Sequence, residues 1–302
     1  MDRRLFIKQT AAAGTLISLS GTQMGFITSS KKKITILHTN DMHSHIDPFP
    51  TNDPKYPNQG GMAKRAALIQ KLRHENPNTL LLDAGDVFQG TPYFNFYGGE
   101  LEFKLMSMMG YDAMTLGNHD FDNGISGLLA QLPHAKFDIL TANYDFTNTD
   151  LNGYTKPYKI FNKDGVKIGV FGIGIALEGL VNKRLYKETK YLDPIEIAQE
   201  TASKLKLHEN CDLIICLSHL GFEYRDDSII SDRTLATRTS NIDLIIGGHT
   251  HTFLNKPVLS QNKDGDFVLI NQVGWGGIQL GQIDFYLDDA KNVGTKATYF
   301  DL

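Results

Sequence analysis

Ile36-Leu37-His38-Thr39-Asn40-Asp41-Met42-His43 sets a pattern that recurs along the whole chain. Its first half is apolar and short, which predicts a buried strand over residues 33–39. Its second half presents a carboxylate and an imidazole two positions apart. In an extended segment residues i and i+2 face the same way, so Asp41 and His43 are expected to grip one ion together. The same succession then returns. Residues 80–82 run into Gly85-Asp86, and residues 113–116 into Gly117-Asn118-His119-Asp120, with Asp122 two positions on. Residues 213–217 lead to a lone His219, and residues 244–246 to Gly247-Gly248-His249-Thr250-His251. Polar groups just past the carboxyl ends of apolar strands are where α/β sheets place their ligands. The flanking glycines allow a close approach of backbone to a bound group. Each element alone is commonplace, and their weight comes from their order behind successive apolar strands.

Helical spacing fills the intervals. Met62, Ala66, Ile69 and Leu72 predict a helix over residues 61–74, and Leu101, Leu105 and Met108 another over 100–109. Pro194 behind Asp193 opens a third, over 194–207. Further strands are expected at 138–142, 166–175, 211–218, 242–246, 267–271 and 279–287. Residues 51–59 are polar and proline-rich and read as a surface loop. The alternation makes the chain an α/β protein. Gly172 and Gly174 hint at a dinucleotide loop, but Leu177 stands where the third glycine belongs. Neither a Walker lysine motif nor a Gly-x-Ser-x-Gly elbow is present. Cys211 and Cys216 are expected to be buried thiols on opposite sides of their strand. His38 reads as a core histidine with a backbone partner, and His45 as a supporting or surface group.

Composition narrows the classes. The 302 residues are 41% hydrophobic, with 30 Lys+Arg against 34 Asp+Glu and a formal charge of −4. That is too apolar and too balanced for a disordered chain. Two cysteines cannot build a disulfide framework. A mildly acidic chain lacks the basic face that duplex nucleic acid demands. The charge is uneven, however. Residues 1–33 hold six basic groups and one acid, so the remainder carries 24 basic and 33 acidic residues, or −9. Arg3-Arg4, with Phe6 and Lys8 behind them and a weakly apolar run to Ile27, is similar to a twin-arginine export signal over residues 1–30. The expected location is periplasmic or cell-surface, with membrane contact only through an uncleaved signal. That run holds too many small polar residues for a membrane span.

In this order, Asp-x-His, Gly-Asp, Gly-Asn-His-Asp, a lone His and Gly-His-x-His resemble the calcineurin-like metallophosphoesterases. Residues 36–43, Gly117-Asn118-His119-Asp120-Phe121-Asp122 and Gly60-Gly61-Met62-Ala63 look like the 5′-nucleotidase branch of that superfamily. The resemblance covers about residues 33–290. It implies a four-layer αββα sandwich, with a catalytic domain over residues 33–302 and two divalent ions at the sheet edge. Carried over residue by residue, Asp41, His43, Asp86 and His251 would hold the first ion. Asp86, Asn118, His219 and His249 would hold the second, with Asp86 bridging. His119 would lie near the substrate phosphate, oriented by Asp122, either as an acid or as an electrostatic stabiliser. Mixed nitrogen and oxygen ligation suits Mn, Zn, Fe or Co. Two ions about 3.5–4 Å apart would neutralise a phosphate ester and clamp its attacking and leaving oxygens. A metal-bound water, ionised near neutral pH, would be the nucleophile.

The implied substrates are nucleoside 5′-monophosphates. The alternative is phosphodiester or pyrophosphate hydrolysis, acting on cyclic nucleotides or nucleotide sugars. Full-length members of the family carry a second domain that holds the base, and this chain ends at Leu302. The chain is therefore expected to act alone with relaxed selectivity, or as the catalytic half of a split nucleotidase beside a separately encoded nucleotide-binding domain. A silent binding module fits poorly with a complete set of site residues.

Overall fold

In the computed structural model, which describes residues 31–226, 228–288 and 293–302, the apolar strands sort into two sheets. The expected export signal lies outside the described residues. In chain order the strands begin with β1 (Lys32–Thr39), β2 (Thr79–Asp83), β3 (Ala113–Met114), β4 (Asp138–Ile139) and β5 (Tyr144–Asp145). They continue with β6 (Tyr158–Lys163), β7 (Val166–Ile173), β8 (Lys190–Tyr191), β9 (Leu213–Ser218) and β10 (Leu244–Gly247). The last are β11 (Val258–Gln261), β12 (Phe267–Asn271), β13 (Gln279–Leu287) and β14 (Val293–Asp301). The helices are α1 (Met62–Glu75), α2 (Pro92–Tyr97), α3 (Glu100–Met109), α4 (Gly124–Gln131), α5 (Lys183–Tyr186), α6 (Pro194–Leu207) and α7 (Asp232–Arg238).

One six-stranded sheet has the order β14-β13-β1-β2-β3-β4, the other β11-β12-β10-β9-β7-β6, while β5 and β8 pair separately. The run β1 to β4 is parallel, as is the run β7, β9, β10, β12. Antiparallel strands finish the edges. Parallel strands must be covered on both faces, and the two-residue period of the strands shows by what. Ile34, Ile36, Leu80 and Leu82 point into the space between the sheets and meet Ile168, Val170, Ile215, Leu217 and Ile246. The residues between them point the other way. Leu37 and Leu81 pack on Ile69 and Leu72 of α1 and on Phe103 and Met106 of α3. Ile214, Cys216 and Ile245 pack on Ala198, Ala202 and Leu205 of α6 and on Leu235 of α7. The layers therefore run helix, sheet, sheet, helix, the αββα order expected. The Asp193 side chain caps α6 by accepting from the Ile195 and Glu196 N–H groups, with Pro194 in the first turn. Among the described residues no helix is long and apolar enough to cross a membrane.

Several expectations are corrected. β6, β11 and β14 escape the sequence reading because each is an edge strand, and edge strands carry polar residues on their solvent side. β9 begins at Leu213, so Cys211 precedes the strand and the alternation rule does not reach it. Both thiols are buried, but in the same helix-facing cluster rather than on opposite faces. His38 is buried, and its partner is a side chain, not backbone. Its Nε2 meets Asn271 Nδ2 at 2.8 Å, because the peptides around it are committed to the ladders with β2 and β13. Burial pushes its pKa down to about 3, so it is a neutral imidazole.

The glycines that mimic a dinucleotide loop are packing glycines. A Cβ on Gly174 would sit 2.4 Å from the Tyr144 ring, and one on Gly172 would sit 1.9 Å from the Leu140 carbonyl oxygen. Gly172 marks a point where backbone crosses backbone between the sheets. Gly172→Ala is therefore expected to destabilise the fold by about 1–3 kcal/mol through overpacking. Urea denaturation that leaves the midpoint unmoved would count against this tight crossing.

Candidate metal centre

Parallel pairing brings the carboxyl ends of β1, β2, β3, β9 and β10 to one edge of the sandwich. Asp41 and His43 follow β1, Asp86 follows β2, Asn118 follows β3, His219 follows β9, and His249 and His251 follow β10. All seven converge. Asp41, His43 and His251 present donor atoms within 4.8 Å of one another, and so do Asp86, His219 and His249. Asn118 Oδ1 lies 2.9 Å from His249 Nδ1. Asp86 stands between the groups, with Oδ2 3.0 Å from His219 Nε2 and 3.9 Å from His43 Nε2.

The local geometry differs from the extended segment assumed for Asp41 and His43. Both are left-handed, with φ of 49° and 46°, and so are Asp86 (55°), His249 (71°) and His251 (52°). For residues with a Cβ such a conformation costs about 1–3 kcal/mol and persists only when its surroundings dictate it. Here they do. Asp41, His43 and Ser44 donate their N–H groups to the carbonyls of Gly85, Asp86 and Val87, tying the loop after β1 to the loop after β2. The two side chains reach one point because the chain turns between them. The glycines allow the loops to close. A Cβ on Gly117 would lie 2.2 Å from Asp86 Oδ1, and one on Gly248 would lie 2.8 Å from His219 Nδ1.

Hydrogen bonds aim the imidazoles. His219 Nδ1 lies 2.7 Å from the Ala84 carbonyl, and His43 Nδ1 lies 3.4 Å from that of Phe88. With Nδ1 so engaged, Nε2 is the nitrogen each ring directs at the centre. His43 Nε2 then faces His251 Nε2 at 2.9 Å. Two imidazole nitrogens so close need a proton or a cation between them. His219 Nε2 is buried and near Asp86 Oδ2, yet it lies off the line of a hydrogen bond and has no hydrogen-bond partner. An orphaned buried nitrogen beside a carboxylate is what a divalent ion would satisfy, so the residues present fit a metal. Burial alone would lower the His219 pKa, but the Asp86 and Asp41 carboxylates outweigh it and raise it to about 10. Burial opposes ionisation of Asp86, while His219, His43 and His119 hold its carboxyl below the usual carboxylate range. His249 is lowered to about 4, first by burial and then by His219.

His119 lies at the solvent side, its ring 5.2 Å from that of His43 and its N–H donating to Asp86 Oδ1 at 2.7 Å. Its Nδ1 meets Asp122 Oδ2 at 2.8 Å, and this bond is the main cause of its raised pKa. His45 turns away and stacks on Phe49 at 4.4 Å.

Three supporting residues were not singled out from sequence. Asp120 is fully buried and accepts from the N–H groups of Gly117, Asp86, Val87 and Phe88, stapling two loops of the centre. Asn40 donates to Asp41 Oδ2 and to the Gly274 carbonyl, and accepts from the Val273 N–H. Gln272 accepts from the Thr252 N–H and donates to the Gly248 carbonyl, bracing the loop that carries His249 and His251. Asn40 and Asp120 stand inside the quoted motifs, which was their only sequence signal. Gln272 had none.

The profile of the calcineurin-like phosphoesterase family matches residues 34–253. A snake venom 5′-nucleotidase from Crotalus adamanteus is 38% identical over 282 residues, covering 86% of this chain and 46% of its own. The 5′-nucleotidase precursor from Thermus thermophilus superposes with a TM-score of 0.81 at 32% identity, over 90% of this chain and 55% of its own. The NAD nucleotidase of Haemophilus influenzae superposes with a TM-score of 0.78 at 29% identity, over 90% and 57%. The chain thus spans about half the length of the curated relatives it matches.

Asp120→Asn would turn an amide nitrogen toward N–H donors that now share a carboxylate. The expected result is a loss of about 1–3 kcal/mol in urea denaturation, with weaker metal retention after gel filtration. Unchanged stability and metal content would remove Asp120 from its stapling role.

Proposed function

The chain belongs to the calcineurin-like phosphoesterase family, and from that premise we propose that it is a two-metal phosphohydrolase acting on nucleoside 5′-monophosphates. The observation that carries this reading is the convergence of Asp41, His43 and His251 with Asp86, His219 and His249 on two adjoining points. In this reading Asp41, His43, Asp86 and His251 hold one ion, and Asp86, Asn118, His219 and His249 hold the other. When bound, the ions supply neutralisation of the phosphate charge and a clamp on the attacking and leaving oxygens. The protein does the remainder. His119, oriented through Nδ1 by Asp122, turns Nε2 toward the phosphate. The same hydrogen bond favours the cationic ring, which can stabilise developing charge or hand a proton to the leaving oxygen. Similarity to venom and Thermus 5′-nucleotidases supports the choice of monophosphate.

A second reading, hydrolysis of the anhydride or diester in a dinucleotide, nucleotide sugar or cyclic nucleotide, draws on the similarity to an NAD nucleotidase. Export by the twin-arginine route rests on Arg3-Arg4, with Phe6 and Lys8 behind them and the weakly apolar run to Ile27.

A panel of AMP, NAD, UDP-glucose and a cyclic nucleotide, assayed with Mn²⁺, tests the substrate class. AMP is expected to turn over fastest, and faster turnover of NAD or UDP-glucose would select the second reading. Asp86→Asn is expected to lose bound metal and activity together; two retained ions with full turnover would overturn the bridging role. His119→Asn should retain both ions while kcat falls by about 10²–10⁴-fold. Unchanged turnover would take His119 out of the reaction. Joint replacement of Arg3 and Arg4 by Lys should abolish export in a fractionation assay, and normal export would argue for another route.

A further inference from the structure

His251 differs from His219 and His43. The ring nitrogens of those two that point away from the centre are engaged by the Ala84 and Phe88 carbonyls. An imidazole that holds a metal almost always has its second nitrogen fixed by such an outer bond, which sets ring orientation. Among the described residues His251 Nδ1 makes no hydrogen bond. Its side chain is also the most exposed of the first group, at 39%, against 7% for His43 and none for Asp41. What fixes its ring must therefore be something else.

Trp275 is in position to do so. It is the chain's one tryptophan. Its indole lies flat on the His251 ring, with centroids 5.6 Å apart and planes inclined by 9°. The indole is itself held. His45, Phe49 and Tyr56 meet it edge-on at 5.3, 5.5 and 6.4 Å. Its turn is tied to the residues around Asp41. Gly276 donates to the Asp41 carbonyl at 2.8 Å, and Asn40 bonds both Val273 and Gly274. The turn that carries Trp275 is thus bonded to the segment that carries the Asp41 carboxylate, and it faces His251, whose Nε2 is 3.5 Å from Asp41 Oδ1.

We propose that Trp275 is a positioning residue that orients His251 at the first ion by stacking, in place of the missing hydrogen bond, and that its emission therefore reports loading of the centre. The glycines around it are part of the device. A Cβ on Gly276 would meet Phe49 at 2.8 Å, and one on Gly274 would meet the Phe253 ring at 2.2 Å, so only glycine lets the aromatic group close beneath the indole. The site of the second ion, formed by Asp86, Asn118, His219 and His249, does not touch this group in any ring contact made by Trp275.

The proposal rests on the two-ion reading above, and the test separates the two. The full chain is stripped with a chelator and titrated with Mn²⁺, and with diamagnetic Zn²⁺ as control, following tryptophan emission together with bound ions by equilibrium dialysis. The expected result is an emission change that saturates with the tighter or weaker of two binding steps, with deeper quenching by Mn²⁺. Trp275→Ala should weaken one step about 10–100-fold and leave the other in place, and Trp275→Phe should restore it. If wild-type protein binds no ion, the two-ion reading fails and takes this one with it. If two ions bind while emission stays constant, or while Trp275→Ala keeps both affinities, only the role of Trp275 is overturned. Should the alanine variant not fold, the wild-type emission titration still decides.

Discussion

Two carboxylates, Asp41 and Asp86, are withdrawn from water at the seam between the sheets, and the surrounding structure is arranged around that burial. Placing an ion in a protein interior costs several kcal/mol unless donors replace the lost hydration. Asp41 receives the His249 N–H and the Asn40 amide, and Asp86 receives the His119 N–H. Each donor comes from a different loop, so satisfying two charges holds together the ends of strands from both sheets. The left-handed conformations of Asp41, His43, Asp86, His249 and His251 are the strain this arrangement stores.

The same constraint accounts for the uneven polarity of the core. The strand interiors are apolar on both faces, as parallel strands covered by helices and by a second sheet must be. Past the strand ends Asp120, Gln272 and Asn40 pair with backbone that the turns leave free. These residues do not reach the centre themselves. They fix the loops that do.

Much of this is legible in the sequence. The helices of residues 62–75, 100–109 and 194–207 follow from apolar spacing and, for the last, from Asp193 and Pro194. The central strands are read from continuous apolar runs, and the seven polar residues that converge are read from their place behind those runs. Edge strands such as β6 and β14 are not visible there, because a strand with one neighbour and one wet side lacks the apolar run that marks an interior strand. The alternation rule misplaces Cys211 relative to Cys216 because it holds only within a strand, and Cys211 precedes β9.

By itself the sequence determined which residues would meet, since they stand behind successive apolar strands and parallel pairing brings the carboxyl ends of those strands to one edge. The layer order was expected from the family that the motifs resemble. How the residues meet was decided only in three dimensions. The pairing of Asp41 with His43 depends on two left-handed residues held by the loop after β2, and those bonds join loops that the whole of α1 and β2 separates along the chain. The stacking of Trp275 on His251 and the stapling by Asp120 are likewise contacts between separate loops. No local pattern encodes them, because their energy depends on relative position across the fold rather than on spacing within a segment.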